Sequence, residues 1–148
     1  MRLAAHGLAV DTPAGWDARI YRRAQTDAGE DNHPVLHAAN FPLPAERGDF
    51  GSGAVHLMRG DDVLVVLIEY GADSADTALF ANRGLPRPRA NDFDPRMLQR
   101  TLPGQSGGQW FFTNGGRAFC LYVVLGSHAR RAHLVPRVHE LLDRLAIG

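Results

Sequence analysis

Two stretches of the chain are apolar at almost every position. In DVLVVLIEY (62–70) Val63, Val65 and Leu67 alternate with Leu64, Val66 and Ile68, and RAFCLYVVL (117–125) repeats the pattern. Successive side chains of a strand point to opposite faces, so both runs predict strands in the middle of a sheet buried on both sides. Each face then needs a cover of helices or of long ordered loops. QWFFT (109–113) runs into Asn114-Gly115-Gly116 and back through Arg117, which predicts a hairpin, because these turn residues tolerate positive φ. DARIYRR (17–23) and PVLHAANF (34–41) alternate more weakly and read as outer strands.

Helical periodicity is strongest at the C-terminal end. Leu134, Val138, Leu141 and Leu145 share a stripe with Val135 and Leu142, opposite Arg137, Glu140, Asp143 and Arg144. Pro136 fits this amphipathic helix if the regular turns begin there, since a first-turn residue needs no intrahelical amide bond. DSADTALFAN (73–82) reads as a short helix opened by Asp73 or Ser74, and DPRMLQR (94–100) as another capped by Asp94 with Pro95 at its first position. Around the latter, residues 82–108 contain four prolines and little periodicity. Leu85, Phe93, Met97, Leu98 and Leu102 nevertheless give the stretch apolar anchors. It is expected to lie across the sheet as a cover, its short helix packed through Met97 and Leu98, with Arg83, Arg87 and Arg89 outward. The elements together predict a single α+β domain over residues 1–148, a mainly antiparallel sheet between helices in an α/β/α sandwich.

Trp16 sits in Thr12-Pro13-Ala14-Gly15-Trp16, between two strand-like runs, where a turn normally carries something small and polar. Two readings are open. The indole closes one end of the core beside a hairpin, or it is a binding handle.

The opening GLAVDTPAGWDARI, a long mixed middle, a hairpin into RAFCLYVVLG and the closing VPRVHELLDRLAI resemble the PsbP-like fold family. That family includes extrinsic photosystem subunits, Ran-binding nuclear-transport factors and bacterial lipoproteins. The resemblance implies an antiparallel sheet sandwiched by helices and a history of binding more than of catalysis. The chain departs from the pattern in having no lipoprotein cysteine near its start, and no metal or partner motif carries over.

Composition narrows the chemistry. The 148 residues carry 16 basic and 16 acidic groups, a formal balance of zero, which argues against general nucleic-acid binding. All the basic residues are Arg, as a GC-rich coding sequence would produce, and Arg favours bidentate carboxylate pairing. The opening MRLAAHGLAVDTP meets His6, Gly7 and Asp11 before the apolar core of a leader forms, and the apolar runs are too short to span a bilayer. A bacterial-type cytoplasmic protein without membrane contact is expected.

Cys120 is the single cysteine, so an intramolecular disulfide is excluded. Its place inside an apolar strand predicts a buried, inert thiol rather than a nucleophile. The seven histidines, His33, His37, His56, His128, His133 and His139 among them, show no metal-ligand spacing, and the glycines of GDFGSG and GQSGG lack a following Lys. No metal or cofactor is implied. Arg47-Gly48-Asp49 and Arg59-Gly60-Asp61 both spell the adhesion tripeptide, but Arg, Gly and Asp also gather in turns for backbone reasons.

Arg83, Arg87 and Arg89 in NRGLPRPRAND are the more suggestive group, because a proline-stiffened loop presents guanidinium groups to an acidic partner. The expected function is a non-catalytic protein-interaction or accessory module, partnered by another protein or by a second copy, with Arg83, Arg87, Arg89 and Trp16 as candidate binding residues. The alternative is a small-molecule-binding protein or hydrolase with a pocket between the sheet and residues 82–108.

Overall fold

The computed structural model describes residues 1–23 and 33–148. Strands β3 (Asp17–Arg22), β4 (Pro34–Ala39), β5 (Val63–Tyr70), β6 (Ser106–Asn114) and β7 (Arg117–Leu125) form an antiparallel sheet in the order β3-β4-β5-β7-β6. The two doubly apolar runs, β5 and β7, sit side by side inside it, paired from Val63 with Leu125 to Tyr70 with Ala118. The β6–β7 hairpin closes through Gly115 and Gly116, both at positive φ, as a two-residue turn of matching twist requires.

β4 is not an outer strand. It lies between β3 and β5 with all six residues buried, Leu36 and Ala38 in the helix-side core and Val35 and Ala39 in the loop-covered one.

A second antiparallel sheet joins β1 (Arg2–Ala5), β2 (Leu8–Asp11) and β8 (Leu145–Ile147) in the order β1-β2-β8. His6 and Gly7, at φ 53° and 77°, make the two-residue turn between β1 and β2. β2 and β3 therefore belong to different sheets. Pro13 to Trp16 carries the chain between layers rather than around a hairpin end.

The expected α/β/α sandwich is not what forms. Among the described residues there is one α-helix, α1 (Arg131–Leu142), and the protein is mainly antiparallel β. α1 begins five residues before Pro136, which lies inside it on the exposed face. Leu145 is not on the helix stripe but in β8. The stretch at 73–82 makes two short 3-10 turns, Ala72–Ser74 and Ala78–Phe80, and Pro95–Met97 makes another. Local caps are present, as where Asp94 accepts the Arg96 amide at 2.8 Å, but the flanking prolines and glycines leave too few residues for regular turns.

The large sheet has a core on each face, with different covers. On one face Leu36, Val65, Leu67, Phe119, Leu121 and Val123 pack with Leu134, Val138 and Leu141 of α1 and with Leu8 and Val10 of the small sheet. On the other, Val35, Leu64, Val66, Ile68, Tyr122 and Val124 pack under loops, through Leu43, Ala54 and Val55 with Phe41, Phe50, Met58, Leu98 and Leu102 at the margin. A long loop substitutes for the second helical layer. Where it approaches closely it uses glycine: a Cβ on Gly53, at φ 91°, would stand 2.8 Å from the Glu46 carbonyl.

Arg117 ties the two sheets together. Its guanidinium forms a two-pronged pair with Glu69 of β5 at 2.6 and 3.0 Å, and donates to the Gly148 and Gly7 carbonyls at 2.5 and 3.2 Å. The Glu69 carboxylate raises the Arg117 pKa still further, so this cation is fixed.

Candidate functional site

Residues 82–105 form a strap around β6, the strand at one edge of the large sheet. An exposed edge offers unpaired amides and carbonyls to other chains, and folded proteins cover or blunt it. Here the Thr113 amide donates to the Asn82 carbonyl at 2.8 Å and Gly84 donates to the Thr113 carbonyl at 2.9 Å. At the other end, Asp94 and Gly107 exchange two backbone bonds at 3.0 and 3.1 Å. Between these points Leu85, Ala90 and Phe93 pack on the helix-covered core, and beyond Asp94 the strap passes to the opposite face, where Leu98 and Leu102 pack. Phe93 meets Trp110 of β6 edge-on at 5.6 Å. The stretch is packed, but not as expected: it wraps the edge strand instead of lying across the sheet, its short helix is a single 3-10 turn, and Leu98 is an anchor whereas Met97 is 42% exposed.

The three arginines ride on the strap, and each has an acidic partner within the chain. Arg83 pairs with Asp76 at 2.8 Å, Arg87 with Asp143 at the end of α1 at 2.5 Å, and Arg89 with Asp92 at 3.7 Å. Their side chains remain 75, 61 and 82% exposed. Exposed pairs of this kind contribute about 0.2–1 kcal/mol each, so a carboxylate from outside can exchange with the internal one. The strap is pinned to α1 a second time, since His139 Nε2 donates to the Pro88 carbonyl at 2.5 Å. Asp76 itself lies at φ 61°, held by its amide bond to Thr113 Oγ1 at 3.0 Å.

Trp16 is on another part of the molecule. It is half-buried and packs against the helix-side core, with its backbone amide donating to the Pro13 carbonyl at 3.2 Å. This placement supports the closing role for the indole.

A buried polar cluster escaped sequence reading. His37 is fully buried on β4; its Nε2 donates to the Asp49 carbonyl at 2.8 Å and its Nδ1 accepts from Arg47 Nε at 2.9 Å. Arg47 also bonds the Pro44 carbonyl, and Tyr21 donates to the Asp49 carboxylate at 2.8 Å. The first Arg-Gly-Asp triplet thus holds the cover loop onto the sheet. Burial is the main cause that lowers the His37 pKa to about 4, fixing a neutral ring, and burial beside Asp49 pushes the Tyr21 pKa up. The signal available in the sequence was the triplet, but nothing in it pointed to His37.

Cys120 is buried in β7 and its thiol is pushed up to about 11 by burial, a poor nucleophile at neutral pH. Among the described residues no three His, Cys, Asp or Glu groups gather as a metal site, and no helix is long and apolar enough to cross a membrane.

Among the described residues, a hollow of about 50 Å³ lies between the strap and the sheet beside Tyr122, well below the roughly 300–1,000 Å³ of a metabolite pocket. Larger depressions of about 450 Å³ beside Leu102 and His128, and 530 Å³ beside Phe41 and Leu57, are open troughs on the surface. Comparison with protein-family models, with curated proteins and with solved structures finds no match to this chain.

Proposed function

We propose that this chain is a non-catalytic protein-interaction module whose strap presents Arg83, Arg87 and Arg89 to an acidic surface of another protein. The observation that carries the reading is the combination of a fixed backbone with exposed charge. The strap is bonded to β6 at both ends and anchored in both cores, yet it holds three guanidinium groups at 61–82% exposure. Little ordering entropy is lost when such a surface binds, and planar guanidinium groups suit carboxylate recognition. The small hollow under the strap and the locked states of His37 and Cys120 favour this reading over a metabolite site or hydrolase.

The test is affinity capture from the native cell with the wild-type chain and with Arg83, Arg87 and Arg89 all replaced by Gln. The reading expects a co-eluting protein whose capture falls at least tenfold in the triple variant and falls likewise for wild type in about 0.5 M salt, where surface charge is screened. Capture that survives both changes contradicts it.

A further inference from the structure

Among the described residues the two sheets end on β6, β3, β8 and β1, and the chain treats these edges differently. β6 is wrapped by the strap. β3 carries Asp17, Arg19 and Arg22, and the Arg19 guanidinium turns back to donate to the Ala18 carbonyl at 2.8 Å, which blunts that edge with charge. β8 has three residues and leaves α1 only two positions earlier. β1 has the sequence Arg-Leu-Ala-Ala, a single charge, no proline and an unbroken register with β2.

The pairing of β1 fixes which of its backbone groups face outward. Met1 and Thr12 exchange backbone bonds at 3.3 and 2.9 Å, and the same register pairs Leu3 with Val10 and Ala5 with Leu8. Bonded and non-bonded pairs alternate along an antiparallel ladder, so Met1, Leu3 and Ala5 are bonded to β2 while the amides and carbonyls of Arg2 and Ala4 point away from it. Both of these residues are exposed, whereas Leu3 is partly buried against the helix-side core.

We propose that β1 pairs with β1 of a second copy, antiparallel about a two-fold axis at Leu3, joining the two small sheets into one of six strands. In this register Arg2 faces the partner's Ala4 and Ala4 faces the partner's Arg2, and each pair exchanges two backbone bonds. The competing registers are worse. A pairing centred on Arg2 sets like charges directly opposite, and one centred on Ala4 needs His6, which turns at φ 53° instead of continuing the strand. A slip of one residue sets outward groups against residues already bonded to β2. At the axis Leu3 meets the partner's Leu3 as a non-bonded pair, where side chains approach most closely, and the helix-side core continues across the contact. So short a contact falls well below the roughly 1,200 Å² of a lasting interface, and the association is weak and concentration-dependent. It stands apart from the partner reading, since no strap residue takes part.

Sedimentation equilibrium of the intact chain, from about 10 μM to 1 mM, the range in which so small a contact associates, tests it. Wild type should form a reversible dimer. Ala4→Pro removes an outward amide and no bond to β2, a change that an edge strand tolerates, and should weaken the dimer at least tenfold. Ala4→Glu and Ala4→Lys each place two new charges opposite the partner's Arg2 and its symmetry mate. Glu should tighten the dimer and Lys loosen it, each by about two- to thirtyfold. A monomer at 1 mM, a dimer unchanged by Ala4→Pro, or Glu and Lys variants that behave alike would overturn the proposal. If Ala4→Pro does not fold, the opposed effects of Glu and Lys decide alone.

Discussion

His37 is the residue at which burial and charge meet most sharply. Its neutral ring donates to one backbone carbonyl and accepts from one guanidinium, so an added proton on Nδ1 would face Arg47. Tyr21 from β3 and Asp49 from the cover loop complete its surroundings. In the unfolded chain the ring takes its proton near pH 6.5, and in the folded chain only near 4. Between those values the unfolded state binds more protons, so stability falls as pH falls, by about 3 kcal/mol in all, and the loss is complete below 4. Thermal melts at pH 7 and pH 4.5 should show a larger drop for wild type than for His37→Gln. An equal drop in both would mean that the ring is not held neutral. No property of the sequence marked this histidine, because a polar residue in PVLHAANF looks like the outward position of a half-exposed strand; the loop that carries Arg47 and Asp49 covers that face and puts it inside.

At the scale of elements, the legible parts were those whose pattern is local. β5, β7 and the Asn114 to Arg117 turn follow from alternation and positive-φ residues within about ten positions. Short elements were not legible. β8 has three residues, and Leu145 falls on the helical stripe by arithmetic as readily as it pairs with Val10. The cover of the second face was ambiguous for a different reason: apolar anchors such as Phe50, Leu98 and Leu102 are scattered among glycines and prolines, with no period to separate an ordered loop from a helix. Trp16 belongs to the crossing between the two sheets, a connection that a hairpin reading missed. Replacing it with Ala should lower stability by roughly 2 to 4 kcal/mol, measured by denaturant unfolding, because a half-buried indole leaves the helix-side core. Unchanged stability together with lost partner capture would reverse the assignment and make Trp16 the binding handle.

For the whole molecule, the covers decide what the sheet can do. The chain closes one edge of its large sheet by wrapping residues 82–105 around β6, and it places its three strap arginines on that wrap, where backbone bonds and two hydrophobic cores hold them. The sequence hinted at this through Leu85, Phe93 and Leu98, but the crossing from one face to the other depends on backbone pairing with Thr113 and Gly107, which no side-chain pattern records. If the strap is a fixed platform, its edge amides open only with the sheet, and local stability there approaches that of β6 and β7. Hydrogen exchange resolved to single amides tests this directly. Gly84, Asp94, Gly107 and Thr113 should exchange slowly, within about tenfold of the β5–β7 core amides, whereas rapid exchange at all four would contradict a fixed strap and with it the surface on which the proposed interaction depends.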